Sequence, residues 1–167
     1  MSIRFTRLKV GYPVDYKHPE DHENSWRVYT VCQTEDPRSC TTRRDVAALG
    51  SVADRKDARD TYVTLLNKAQ TGEPLSQLYD KTACHEAHEF VYTHASGQCQ
   101  GHKIFRVRGP GAIRVYFMYL PGQKIVVLKT STKRVDKLSA GEKSELKDAA
   151  EAVLALVDKK TFEECEI

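Results

Sequence analysis

The sequence predicts an α+β fold: a small, twisted, antiparallel-rich sheet with a helical hairpin before it, a helix after it, and an amino-terminal extension. Three observations carry that expectation. Residues 103–130 read as three short strands separated by Gly/Pro turns, with Lys103 to Gly109 showing the period-two alternation of a strand. Residues 139–157 place Leu146, Ala149, Ala150, Val153, Leu154 and Val157 at helical spacing behind Ser139 and Glu142, which fit a capping box. Ala58, Tyr62, Leu65, Leu66 and Ala69 keep the same spacing between Gly50 and the Gly72/Pro74 stop.

The elements follow in order. Ser2 to Val10 reads as an additional strand and Gly11 to Ser25 as a polar loop. Trp26 to Gln33 is rich in aromatic and β-branched residues, so a strand is expected there. Thr42 with Asp45 can cap a short helix carrying Val46, Ala47 and Leu49, and Ser51 or Asp54 can start the second helix of the hairpin. In the first run of the sheet, Phe105 and Val107 share one face while Ile104, Arg106 and Arg108 share the other. In the next, Ile113, Val115, Phe117 and Tyr119 oppose Arg114, Tyr116 and Met118. Pro121-Gly122 suits a type II turn into the third run, Lys124 to Thr130. At 167 residues, with no repeat, low-complexity tract or linker composition, the chain reads as one domain: residues 1–25 an extension, 26–160 the core and 161–167 a tail.

Charge is concentrated rather than spread. Between Gly101 and Lys137 nine Lys or Arg face one acid, Asp136, a local net of +8 in a chain of +3. Ser139 to Ile167 carries eight acids against four lysines, a net of −4. A local positive field attracts polyanions, and phosphate contacts dominate non-specific nucleic-acid affinity, so nucleic acid is the first partner class. Paired antiparallel, the first two runs gather Arg106, Arg108, Arg114 and Tyr116 on one face. That is a phosphate-binding patch if the face is open, with a phenol for a base or ribose to lie against.

The order of these pieces resembles the second half of RelE/ParE-superfamily toxins, in particular the HigB and phage-derived branch. The carrying residues are Ile104-Phe105-Arg106-Val107-Arg108, Arg114-Val115-Tyr116-Phe117, Ile125 to Leu128, and Lys133-Arg134 ahead of the Ser139 cap. The resemblance implies the toxin of a type II toxin–antitoxin pair, a metal-independent endoribonuclease acting on mRNA at the ribosome with no cofactor. Its partners would be mRNA, the ribosome and an antitoxin protein. The ribose 2′-OH would attack the adjacent phosphate. The resemblance places Arg108 and Arg114 on the scissile phosphate, Arg134 on the transition-state charge with Lys133 as helper, and Arg106, Lys129 and Lys137 along the RNA. Tyr116 is either a stacking or proton-donating group or a structural tyrosine, and His102 is a candidate base. The position six residues beyond Arg134, where classical members carry a tyrosine, is Ala140. Two other functions fit the same residues: a ParE-like poison of DNA gyrase without nuclease activity, and a non-catalytic RNA-binding module.

Five cysteines are an odd count, and no charged stretch followed by an apolar run opens the chain. The expectation is reduced thiols in a cytoplasmic protein without membrane association. Cys84, His85, His88, His94, Cys99 and His102 crowd into 19 residues. Their types suit zinc, but no CxxC pair is present, so the expected metal is none. The segment reads as a lid, a metal loop or an irregular core piece.

Overall fold

The computed structural model describes residues 4–8, 23–34, 36, 39–135, 137–159 and 165–166. The expected loop from Gly11 to Ser25 and the tail 161–167 lie largely outside these. The described elements are β1 (Arg4–Arg7), β2 (Arg27–Cys32), α1 (Thr41–Ala47), α2 (Val52–Gln70), α3 (Leu75–Leu78), β3 (Cys84–Thr93), β4 (Cys99–Arg108), β5 (Ile113–Leu120), β6 (Lys124–Thr132), α4 (Ala140–Asp158) and β7 (Cys165–Glu166).

All seven strands lie in one open sheet of order β3-β4-β5-β6-β2-β1-β7. Five are long, and β1 and β7 add four and two residues at one side. From β3 to β6 the chain is an antiparallel meander. The break in that pattern is β2, which returns parallel to β6 with Arg27 opposite Lys124. A parallel neighbour needs a long crossover, and the whole stretch from α1 to β5 forms it.

Both faces of the sheet are covered. One carries Val28, Val107, Ile113, Val115, Phe117, Ile125 and Val127 against Ala58, Tyr62, Leu65 and Ala69 of α2 and Leu75 of α3. The other carries Phe90, Ile104, Tyr116, Met118, Leu120, Val126 and Leu128 against Leu146, Ala150, Val153 and Leu154 of α4. The alternation expected in β4 and β5 is present, with Arg106 opposite Tyr116 and Arg108 opposite Arg114. What differs is the fate of the polar face. The apolar stripe of α4 lies along it, so every residue of β5 except Tyr119 is buried.

Local chemistry explains the element ends. Ser51 accepts the Asp54 N–H at 3.0 Å and starts α2, and Ser139 with Glu142 forms both halves of the capping box of α4. Thr42 does not cap α1. Its hydroxyl lies 2.8 Å from that of Thr30 in β2, while Asp45 accepts the Thr130 N–H at 2.8 Å. Those two contacts tie α1 to the sheet, and the helix begins at Cys40 without a side-chain cap. Strand β3 stands where the sequence left open a lid, a metal loop or an irregular core piece. It is an edge strand whose register shifts between Glu86 and His88, and such a bulge with flanking acids blunts an edge against pairing with other chains.

Gly109 marks the closest approach of α2 to the β4–β5 turn. A Cβ there would lie 1.8 Å from Thr61 Oγ1, a hydroxyl that donates to the Asp57 carbonyl at 2.7 Å. Gly109→Ala is therefore expected to lower stability by about 1–3 kcal/mol through overpacking. Adding Thr61→Ala should recover part of that loss, a coupling that urea denaturation of the double-mutant cycle measures.

Candidate functional site

The charge-rich segment is partitioned by the fold rather than displayed on one patch. Arg106 and Arg114 are each 2% exposed and Tyr116 equally so. This corrects the expectation of an open face holding Arg106, Arg108, Arg114 and Tyr116. The physical cause is α4, which needs a sheet face for its own apolar stripe and takes the one these residues share with Ile104 and Met118. Arg108, Arg134 and Lys137 stay exposed. Lys103 pairs with Glu86 at 3.0 Å, Lys129 with Glu145 at 2.7 Å and Lys133 with Glu142 at 2.6 Å. Two of those three acids belong to α4, so the acidic end of the sequence neutralises part of the basic sheet.

A pocket of about 180 Å³ remains where β3, β4 and β5 meet the turn leading into α4. Arg106 and Tyr116 line it from the sheet, His85 and Glu86 from β3, and Lys137 and Lys143 from the turn and the first turns of α4. Three residues singled out from the sequence, Arg106, Tyr116 and Lys137, are thus brought together. His85 joins them from the Cys/His-rich segment, and Lys143 without having been singled out. Arg108, Arg114, Arg134, His102, Lys129 and Lys133 do not line this pocket. Lys129 sits instead in a separate cleft with Arg44, Asp45 and Glu145. Asp45 there is pushed above the ordinary carboxylate range by its burial.

Hydrogen bonds orient the His85 ring. Its Nδ1 lies 2.8 Å from its neighbour's carbonyl, the backbone oxygen of Glu86. Its Nε2 lies 2.6 Å from an Arg106 nitrogen, which can only donate, so Nε2 is the accepting side of the ring. The same guanidinium nitrogen also donates to the Thr82 carbonyl at 3.2 Å. Register is what places the pair, because His85 faces Arg106 directly across β3 and β4. The bulge after Glu86 hides that relation in the sequence, since alternation fails to carry through it.

His102 is four residues up β4 in a different cluster. Its Nε2 lies 3.0 Å from His94 Nε2, and His94 Nδ1 lies 2.9 Å from Asp158 at the end of α4. Burial and the His94 ring lower the His102 pKa. The Cys/His-rich segment does not converge on a point. Cys84 is buried beneath α3 and β4, with a thiol pushed up to about 11 by burial, and Cys99 is exposed beside Thr93. Among the described residues no group of three or more His, Cys, Asp or Glu side chains is arranged for a metal, and no helix is long and apolar enough to cross a membrane.

One contact at the start of α4 gives a pH test. The Lys133 ammonium bonds both Glu142 oxygens, at 2.6 and 2.7 Å, and holds this carboxyl below its ordinary range. A depressed folded-state value means that the stabilisation is present above the unfolded value and is lost as pH falls through the folded one. Glu142→Gln keeps the cap geometry and removes the charge. It is expected to flatten the acid limb of stability against pH by a small, salt-screened amount, as denaturant unfolding at neutral and acid pH will register.

No family model matches the sequence, and no curated protein or solved structure gives a significant match to it.

Proposed function

We propose that this protein is a RelE/HigB-like toxin of a type II toxin–antitoxin pair, an endoribonuclease that cleaves mRNA at the ribosome. The observation that carries the reading is the pocket of His85, Arg106, Tyr116, Lys137 and Lys143: several cationic groups and an imidazole around one small cavity. The order of elements supports it too, with a strand and helical hairpin ahead of an antiparallel meander and a capped helix. The cytoplasm, an antitoxin partner and independence from metal belong to the same proposal.

In-line cleavage needs a proton acceptor for the ribose 2′-OH, positive charge on the non-bridging oxygens, and a proton for the 5′ oxygen as its bond to phosphorus breaks. Arg106 is the group for the phosphate. When a phosphate draws its N–H groups, the Nε2 lone pair of His85 is released and accepts the 2′-OH proton as the new 2′-O–P bond forms. The ammonium groups of Lys137 and Lys143 stabilise the charge and protonate the departing 5′ oxygen. The products are a 2′,3′-cyclic phosphate and a 5′-hydroxyl. Tyr116 belongs to the wall, since its hydroxyl is buried. Arg108, Arg134 and Lys133 lie outside the pocket and serve in this reading as backbone contacts for the flanking RNA. His102 has no part in the chemistry.

A second reading is favoured by one observation, the 2% exposure of both Arg106 and Arg114. If the guanidiniums stay interior, the remaining exposed cations form a non-catalytic RNA-binding rim with steep salt dependence.

Controlled expression in a bacterial host, with mapping of new mRNA 5′ ends while translation runs and while it is blocked, separates these readings. The expected result is growth arrest with translation-dependent cuts. His85→Gln should lower cutting about 10²–10⁴-fold as a lost general base, and Lys137→Ala about 10²-fold as a lost charge contact, with both variants folded. Arg114→Ala is a poor test because the side chain is interior. Arrest with intact RNA and inhibited supercoiling would identify a gyrase poison, and salt-sensitive RNA binding without arrest would leave the binding module.

A further inference from the structure

The His94–His102 pair stands apart from the pocket and has a geometry of its own. The hairpin between β3 and β4 is tight: the His94 N–H donates to the Gln98 carbonyl at 2.9 Å and the Gly97 N–H to the His94 carbonyl at 2.8 Å. This turn, with Gly97 at φ +85°, brings the His94 ring back over the strand beside His102. Asp158 then fixes the ring from the far side. One carboxylate oxygen takes the His94 Nδ1 proton at 2.9 Å and the other takes the Ala95 backbone N–H at 2.9 Å. His94 and Asp158 are only 17% and 16% exposed. Tyr92 meets the His94 ring edge-on at 5.0 Å, and Phe90 lies 5.9 Å from the His102 ring.

Asp158 engages His94 Nδ1, so His94 Nε2 is left facing His102 Nε2 at 3.0 Å. Two nitrogens that are both metal donors share a single proton at that separation.

We propose that His94 Nε2 and His102 Nε2 bind one divalent late transition metal ion, of which zinc is the test case, with Asp158 as the carboxylate that orients His94. Zn–N bonds of about 2.0–2.1 Å at a tetrahedral angle put two nitrogens about 3.3 Å apart. The pair needs to open by only a few tenths of an ångström. The ion displaces the shared proton, to water or to the other nitrogen of the His102 ring, and both rings bind it as neutral imidazoles. Two water molecules complete the coordination, because no third protein ligand is present among the described residues. The site is open, and its affinity rests on the preformed pair. A carboxylate on the far nitrogen of a metal-binding histidine raises its basicity and holds its orientation, and removing such a partner costs roughly 10–100-fold in affinity.

Both ligands belong to the β3–β4 hairpin, so the ion would pin the turn at His94 onto β4, while the Asp158 bond ties that turn to the end of α4, 64 residues away. A ligand that binds only the folded form stabilises it by mass action, so zinc should also raise the unfolding midpoint.

The test is titration of the full chain, kept reduced, with zinc alone by calorimetry, and with cobalt(II) to read the ligand type from its absorption. One equivalent of zinc is expected, with cobalt bands free of thiolate charge transfer. His102→Gln should lose the site and Asp158→Asn should weaken it about 10–100-fold, while Cys99→Ser leaves it unchanged. Far-ultraviolet circular dichroism of each variant shows that the fold persists. Absence of stoichiometric zinc binding overturns the proposal. So does binding that survives both His94→Gln and His102→Gln, or a cobalt spectrum dominated by thiolate.

Discussion

Burial of β5 on both faces is the constraint from which the rest of the structure follows. Its even-numbered residues Arg114, Tyr116, Met118 and Leu120 face α4, and its odd-numbered residues Ile113, Val115 and Phe117 face α2 and α3. A strand covered on one side only would leave its arginines in water. With α4 in place, guanidiniums at Arg106 and Arg114 are held inside the protein, where a charge must find partners or cost several kcal/mol. Arg106 meets the Thr82 carbonyl and His85, and Arg114 donates to the Ile113 carbonyl at 3.0 Å. The pocket at the mouth of this buried cationic region exists because the turn before α4 passes over it.

The same helix divides the electrostatics. Opposite charges that lie far apart in the sequence become neighbours in space, with Glu142 and Glu145 on Lys133 and Lys129. These are contacts at the rim with partly exposed partners, so their contribution to stability is small. Their larger effect is on the field: they shrink the positive surface that the sequence segment alone would present and leave Arg108, Arg134 and Lys137 as its exposed part.

Much of this architecture was legible in the sequence. Period-two patterning identified β4 and β5 and sorted their side chains to the correct faces, the Pro121-Gly122 turn led into β6, and the Ser139/Glu142 pair marked the start of α4. Alternation says which face a residue takes but not whether another element covers that face. The covering was encoded in α4 itself, since its stripe of Leu146, Ala150, Val153 and Leu154 required an apolar partner and Ile104, Met118 and Leu120 offered one. Strand β3 escaped because its polar residues and the bulge after Glu86 break the alternation. His85 escaped with it, for its role depends on cross-strand register and not on spacing along the chain. Thr42 looked like a cap, yet a buried bond to Thr30 used the same hydroxyl.

The parallel pairing of β2 with β6 has a consequence for how the chain is made. Arg27 and Lys124 are register partners 97 positions apart, so the strand synthesised early has no neighbour on that side until β6 has emerged. At about 5–20 residues per second that interval is roughly 5–20 s. From the completion of α2 until β4, β5 and β6 appear, its face bearing Ala58, Leu65 and Ala69 lacks most of the sheet it packs on. Non-local pairing of this kind slows folding because loop closure precedes the contacts that reward it.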